Sequence, residues 1–137
     1  MNNDLHNGLK TTRVISPISQ AGNTAMVGAI IDRQGYDSLE FAITLGTITT
    51  AGTTYTALLE DGEAANLSDA ATVVAPNLLG TLAAASFTDA EVNTTKKVGY
   101  IGNKRYVRLT MTPAGNTGAS TMSAIAVQGS AAIEPVA

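Results

Sequence analysis

The apolar positions of this chain recur mostly with a period of two. In SLEFAITL, residues 38–45, Leu39, Phe41, Ile43 and Leu45 point one way while Ser38, Glu40, Ala42 and Thr44 point the other. That is the alternation of a half-buried strand. TYTALLE (54–60) alternates again and stops at Asp61-Gly62, a turn signal. NTAMVGAIID (23–32) is apolar on both faces, which predicts a central strand covered on two sides. Arg33-Gln34-Gly35 reads as a tight turn after it. The strand around SLEFAITL is expected to span 36–46, and further strands are expected near 11–17, 71–75 (ended by Pro76), 96–101, 105–112 and 119–128, with the turn-forming loop PAGNTG at 113–118. Residues 62–95 are less regular. Ala and Leu in NLLGTLAAASFTDAEV favour a helical turn, whereas Gly80 and the Thr/Ser content favour loop and short strand.

Eight short strands punctuated by Gly, Pro and Asn predict an all-β fold, a two-sheet antiparallel β-sandwich or a barrel. The expected organisation is a flexible arm over 1–10, one sandwich domain over 11–130 and a tail over 131–137. With 137 residues a single core can form. Alanine supplies much of the 45% apolar fraction and there is no Trp, so the isolated subunit is expected to gain from self-association as a homodimer or homotrimer.

Charge is unevenly divided. Residues 1–95 carry ten acids and three bases, whereas 96–137 carry five bases and one acid, Glu134. The bases concentrate in KKVGYIGNKRYVRLTMTP (96–113) as Lys96, Lys97, Lys104, Arg105 and Arg108. This segment reads as a hairpin. A two-residue loop would set Lys97 against Arg108, like charge against like. A four-residue loop, Gly102 to Arg105, pairs Tyr100 with Val107 and Val98 with Leu109 instead. Lys97, Tyr106 and Arg108 then share one outer face, with Lys104 and Arg105 at the tip. A basic arm on an acidic body suits a nucleic acid, a membrane surface or an acidic protein face.

Catalytic chemistry is poorly provided for. The single histidine, His6, lies in a polar stretch, and a Ser-His-Asp arrangement needs its histidine held rigidly. Without cysteine there is no thiolate site or disulfide, and Glu60, Asp61, Glu63 and Asp69 lack the spacing of a calcium loop. No cofactor or metal is expected, and the chain reads as non-enzymatic. Gly99-Tyr100-Ile101-Gly102 lacks the ending of a phosphate loop. No apolar run approaches the ~20 residues needed to span a bilayer, and the N-terminus lacks the apolar core of a signal peptide. Tyr100 and Tyr106 among basic residues resemble a stacking platform for nucleic acid, but the favoured register buries Tyr100 and the chain is acidic overall.

The run GYIGNKRYVRLTMTPAGNTGASTMSAIAVQG, Gly99 to Gly129, resembles the C-terminal strands of small capsid-associated proteins of tailed bacteriophages. The resemblance implies an auxiliary capsid protein and, since some of these are jelly rolls of eight strands in two sheets, the number counted above, favours a jelly-roll sandwich. Such a cement or decoration protein binds the outer surface of the shell and clamps neighbouring capsomers, as dimers at two-fold or trimers at three-fold positions. Its implied partners are the major capsid protein and itself, and its implied place is the capsid exterior, after assembly in the host cytoplasm. On that reading Lys97, Lys104, Arg105 and Arg108 are the candidate capsid contacts, meeting an acidic face of the shell. A head-tail joining or tail component is one alternative. A sugar- or nucleic-acid-binding sandwich is another.

Overall fold

The computed structural model describes residues 4–133, 135 and 136. Parts of the expected arm (1–3) and tail (134 and 137) lie outside the described residues. The period-two segments form two antiparallel sheets. One joins β1 (Lys10–Gln20), β4 (Tyr36–Ile48), β9 (Thr95–Tyr100) and β11 (Ser120–Ala131) in the order β1-β11-β4-β9, with two-residue β7 (Leu78–Leu79) on the β9 edge. In the other, β10 (Tyr106–Ala114) pairs on one side with β2 (Met26–Val27) and then β3 (Ile31–Asp32). Its other side pairs with β5 (Thr54–Gly62), which in turn takes β6 (Ala71–Thr72) and β8 (Phe87–Thr88).

Counting β2 and β3 as one interrupted strand, and setting aside the two-residue β7 and β8, leaves eight strands in chain order. They fall into the sheets as 1-8-3-6 and 2-7-4-5. This is a jelly roll. The inward sets meet in one core. Phe41, Ile43, Val98 and Tyr100 come from one sheet and Leu59, Val107, Leu109 and Met111 from the other, all with no exposed area. Each such large side chain contributes roughly 1.5–3 kcal/mol by leaving water. Tyr55 stacks on Phe87 with ring centroids 4.7 Å apart.

Two expectations are corrected. The segment 23–32 is not a central strand but an edge that changes partner. Gly28 N–H donates to Leu109 O at 2.8 Å, and the next residue, Ala29, donates to Val14 O at 2.9 Å on the opposite sheet. Val27 stays 60% exposed, so its apolar character is not explained by double-sided burial. The close approach needs glycine: a Cβ at Gly28 would lie 2.4 Å from Leu109 O and 2.6 Å from Val14 Cγ1.

The second correction concerns β9 and β10, which form no hairpin. β9 pairs with β4, setting Tyr100 against Leu39, and β10 pairs with β5, setting Val107 against Asp61. Only one consecutive strand pair of this jelly roll, β5 and β6, shares a sheet. The loop 101–105 therefore arches across the sandwich. The inward positions Val98, Tyr100, Val107 and Leu109 are as expected, because side-chain alternation does not depend on which strand lies alongside.

Elsewhere, the turn at 33–36 closes with Tyr36 N–H on Arg33 O at 2.9 Å, Gly35 taking φ +87°. Strand β1 continues through Pro17 because it is an edge strand with register shifts between Arg13 and Ile18, where a missing N–H is tolerated. Within 62–95 both local tendencies appear. Thr81 caps the one-turn helix α1 (Leu82–Ala85), and Thr88 with Glu91 closes a capping box on a 3₁₀ turn.

Candidate functional site

The basic residues expected to form one patch are divided by the fold. Lys97 lies on the outer face of the five-stranded sheet, opposite Ala42. Arg108 lies with Tyr106 on the outer face of the other sheet. They cannot share a face, because β9 and β10 belong to different sheets. Lys104 and Arg105 do occupy an exposed loop, as expected.

Most of these cations already have acidic partners. Arg105 holds Asp32 with two hydrogen bonds, Nε to Oδ1 and Nη2 to Oδ2, each 2.9 Å. It also donates to Gln34 Oε1 at 2.5 Å and lies over the Tyr106 ring. The guanidinium beside Asp32 holds that carboxyl below its ordinary value. Arg108 faces Glu60 across the β10–β5 ladder, Nη2 donating to Oε2 at 2.8 Å. Lys104 makes only a loose approach to Glu63, at 3.8 Å. Lys96 binds Glu91 at 2.5 Å and lowers its pKa. Lys97 has no acid within 4 Å among the described residues.

The arch is anchored from beneath. Arg33 Nη1 donates to Gly102 O at 3.0 Å and Lys104 O at 2.7 Å, while its guanidinium lies 4.8 Å from the centre of the Tyr100 ring. Tyr100 Oη donates to Asp61 Oδ2 at 2.6 Å and accepts from Lys104 N–H at 3.1 Å. Burial, reinforced by the hydrogen bond to Asp61, pushes the Tyr100 phenol up to about 12. Tyr100 is therefore a core post under the loop and offers no stacking surface to a nucleobase. At the opposite end, Asn116 Nδ2 donates to Gln20 O and Gly22 O, tying the loop after β10 to the loop after β1.

Sequence reasoning did not find the outer face of the five-stranded sheet as a surface. Register places residues across it in rows. One row reads Arg13, Ile125, Ala42, Lys97; the next reads Thr11, Val127, Glu40, Gly99, Leu79. Ile125 is 41% exposed, Leu79 52% and the adjoining Ile101 53%. The middle of this face is apolar and flat, because Ala42 and Gly99 raise no side chain of any length. Glu40 stands in it with its pKa raised by desolvation, an effect opposed by Lys97. A shallow depression of about 470 Å³ runs beside it between Leu9, Leu79, Ile101 and Val127. The available signal was the outward set Glu40/Ala42/Thr44, whose small apolar member was read only as the polar side of an alternating strand.

Among the described residues no group of three His, Cys, Asp or Glu side chains could hold a metal ion, and His6 is exposed. Among the described residues no helix is long and apolar enough to cross a membrane.

No protein-family model matches the sequence, and no curated protein matches it significantly. Solved structures do. The chain is similar over its full length to the PBSX exported protein XepA, at 14% identity and a TM-score of 0.61, and spans 42% of that protein. It is similar over 91% of its length to the SPBc2 prophage-derived protein YomS, at 14% identity and a TM-score of 0.50, covering 99% of that chain. A xylan-binding CBM22-1 domain from Paenibacillus barcinonensis Xyn10C aligns with 92% of the chain and 88% of its own, at 8% identity and a TM-score of 0.48. At these identities what is shared is the fold.

Proposed function

We propose that this protein is an auxiliary structural component of a tailed-bacteriophage particle, a cement or decoration protein attached to the outer surface of the capsid. The observation that supports it best is the jelly roll itself, whose likeness extends to a prophage-derived protein along nearly the whole of both chains. The Gly99–Gly129 run agrees with it independently, since it resembles capsid-associated proteins in sequence. The residues also suit adhesion better than chemistry. Cations and apolar side chains stand on solid strands and a braced arch, and the polar groups of the core are engaged in holding loops.

Attachment on this reading uses the arch end of the sandwich. Of the three candidate contacts at this end, Lys104 is the one both exposed and loosely partnered. Arg105 and Arg108 are committed to Asp32 and Glu60, so they shape the surface more than they supply free charge. Repetition over a symmetric shell then makes a weak single contact sufficient.

The test is decoration of stripped capsids by purified protein. Occupancy in hundreds of copies per head supports the cement reading. About a dozen copies at one vertex would instead mark a head-tail joining component, and no binding would end both readings. Lys104→Glu should lower occupancy several-fold at sub-saturating concentration. That loss should shrink at 1 M salt, where the screening length is about 3 Å.

A further inference from the structure

We infer that the outer face of the five-stranded sheet is a two-fold self-association surface, in which a second copy of this chain packs sheet against sheet. The inference does not depend on what the protein attaches to. Its basis is the register of two adjacent rows. Place a two-fold axis in the interface plane, running across the strands midway between the Ile125 row and the Val127 row. The axis exchanges the rows. Ile125 of one copy then faces Val127 of the other, and the same contact recurs by symmetry.

The charges obey the same operation. Glu40 lies one strand spacing from the β9 position in its own row, and the axis delivers the partner's Lys97 to that place. Two symmetric Glu40–Lys97 pairs result, about 5 Å apart in the plane before the side chains adjust. Each would give the Glu40 carboxylate, held amid apolar neighbours, a cation it lacks within 4 Å in the monomer. An axis along the strands, midway between β11 and β4, would instead set Lys97 against the partner's Arg13, like charge on like. The surface is therefore self-complementary in one orientation, and that orientation makes a dimer. A three-fold arrangement cannot bring one row of a face onto its neighbour in this way.

Size agrees. The five strands hold 44 residues, and at ~3.3 Å of rise and ~4.8 Å of spacing for each they cover roughly 700 Å² per copy. A stable interface of standard size takes about 800 Å² from each partner. Ala42 raises only a methyl group between the two sheets, while the space over Gly99 is taken by its own chain, since a Cβ there would meet Glu40 Oε2 at 2.5 Å and Leu79 Cβ at 2.9 Å. In the dimer Lys97 belongs to the subunit contact, which removes it from the capsid-contact set.

Sedimentation velocity over a concentration series tests this on the intact chain. Wild type should run as a dimer. Ile125→Glu, at an exposed position, should weaken association at least tenfold while leaving the thermal midpoint of a dilute sample near the wild-type value. Glu40→Lys and Lys97→Glu should each weaken it several-fold, and the two together should restore it to within about threefold. Register is read separately, because the chain contains no cysteine. Joining a mixture of Ile125→Cys and Val127→Cys proteins with a short bis-maleimide, which spans the ~10 Å between packed sheets, should give mainly the mixed cross-link. A wild-type monomer or trimer, charge reversals without effect, or like-with-like cross-links in excess would each overturn the inference.

Discussion

Replacing Tyr100 by Phe probes the polar link between the two sheets. The phenol rises from β9 and donates to Asp61 on β5, so one hydroxyl joins strands of opposite sheets. The substitution keeps the ring and removes one oxygen. It leaves Asp61, 8% exposed, without the hydrogen bond that the hydroxyl supplied, and frees the Lys104 N–H. A hydrogen bond to a charged group contributes ~1.5–3 kcal/mol. Lys104 sits in an exposed loop, so water can take up its N–H and the Asp61 contribution dominates. The expected loss is about 2–3 kcal/mol, which for a domain of this size lowers the melting midpoint by roughly 6–15 °C. Urea denaturation at pH 7 measures it, with an unchanged m-value showing that only stability moved. Tyr100→Phe with Asp61→Leu should lie closer to wild type than Tyr100→Phe alone, because removing both partners leaves nothing buried and unpaired. The phenol pKa adds a second readout. It is raised from 10 to about 12, so its stabilisation is complete below pH 10 and is lost as pH climbs through 12. Wild type should lose stability over that window, and the Phe variant should lose less. A loss under ~0.5 kcal/mol at pH 7 would refute the reasoning.

Three further outcomes are expected. Gly28→Ala drives a Cβ into Leu109 O and Val14, and should cost about 1–3 kcal/mol by denaturant titration, even though Val27 beside it tolerates polar replacement. Arg108→Ala should cost about 1 kcal/mol, since its partnership with Glu60 is a cross-strand ion pair about a quarter exposed, and Arg105→Ala should also lower the melting midpoint. Asp32 and Glu91 have depressed pKa values, so the stability they contribute is present above about pH 4.5 and is lost as pH falls below 4. Melting midpoints at pH 6, 4 and 3 check this, and Arg105→Ala should flatten the part due to Asp32.

Strand positions were legible because alternation is a local property. Leu39/Phe41/Ile43/Leu45 and Val98/Tyr100 announce their buried side whatever lies alongside them. The number of strands followed from turn chemistry, which left a sandwich or a barrel, and the resemblance to capsid-associated proteins pointed to the jelly roll. Strand partners were not legible in the same way. Hairpin register compares only neighbours in sequence, while the jelly roll places β9 and β10 in different sheets and gives each a partner some fifty residues away. Segment 23–32 misled for a related reason. Its continuous apolar run looks the same whether a strand is covered on both sides or passes between two sheets at an edge. The cations were legible as residues but not as a site, since their surroundings depend on those non-local pairings.

The uneven charge of the sequence has a structural resolution that follows from topology. Residues 1–95 are acidic and the segment 96–108 is basic, which on an extended chain looks like a positive arm on a negative body. The fold does not keep them apart. β10 is inserted between β3, which carries Asp32, and β5, which carries Glu60 and Asp61. Each cation of segment 104–108 therefore falls opposite an acid supplied from far away in sequence: Arg105 to Asp32, Arg108 to Glu60, Lys104 loosely to Glu63. Charge separation along the chain becomes charge neutralisation between neighbouring strands, and it helps select the partner of β10. What a binding partner meets is the remainder. On the arch that remainder is Lys104; on the five-stranded face it is Lys97 and Arg13 about the lone Glu40. The residues that dominate the sequence pattern chiefly hold the sandwich together, and the less conspicuous ones are left to face other molecules.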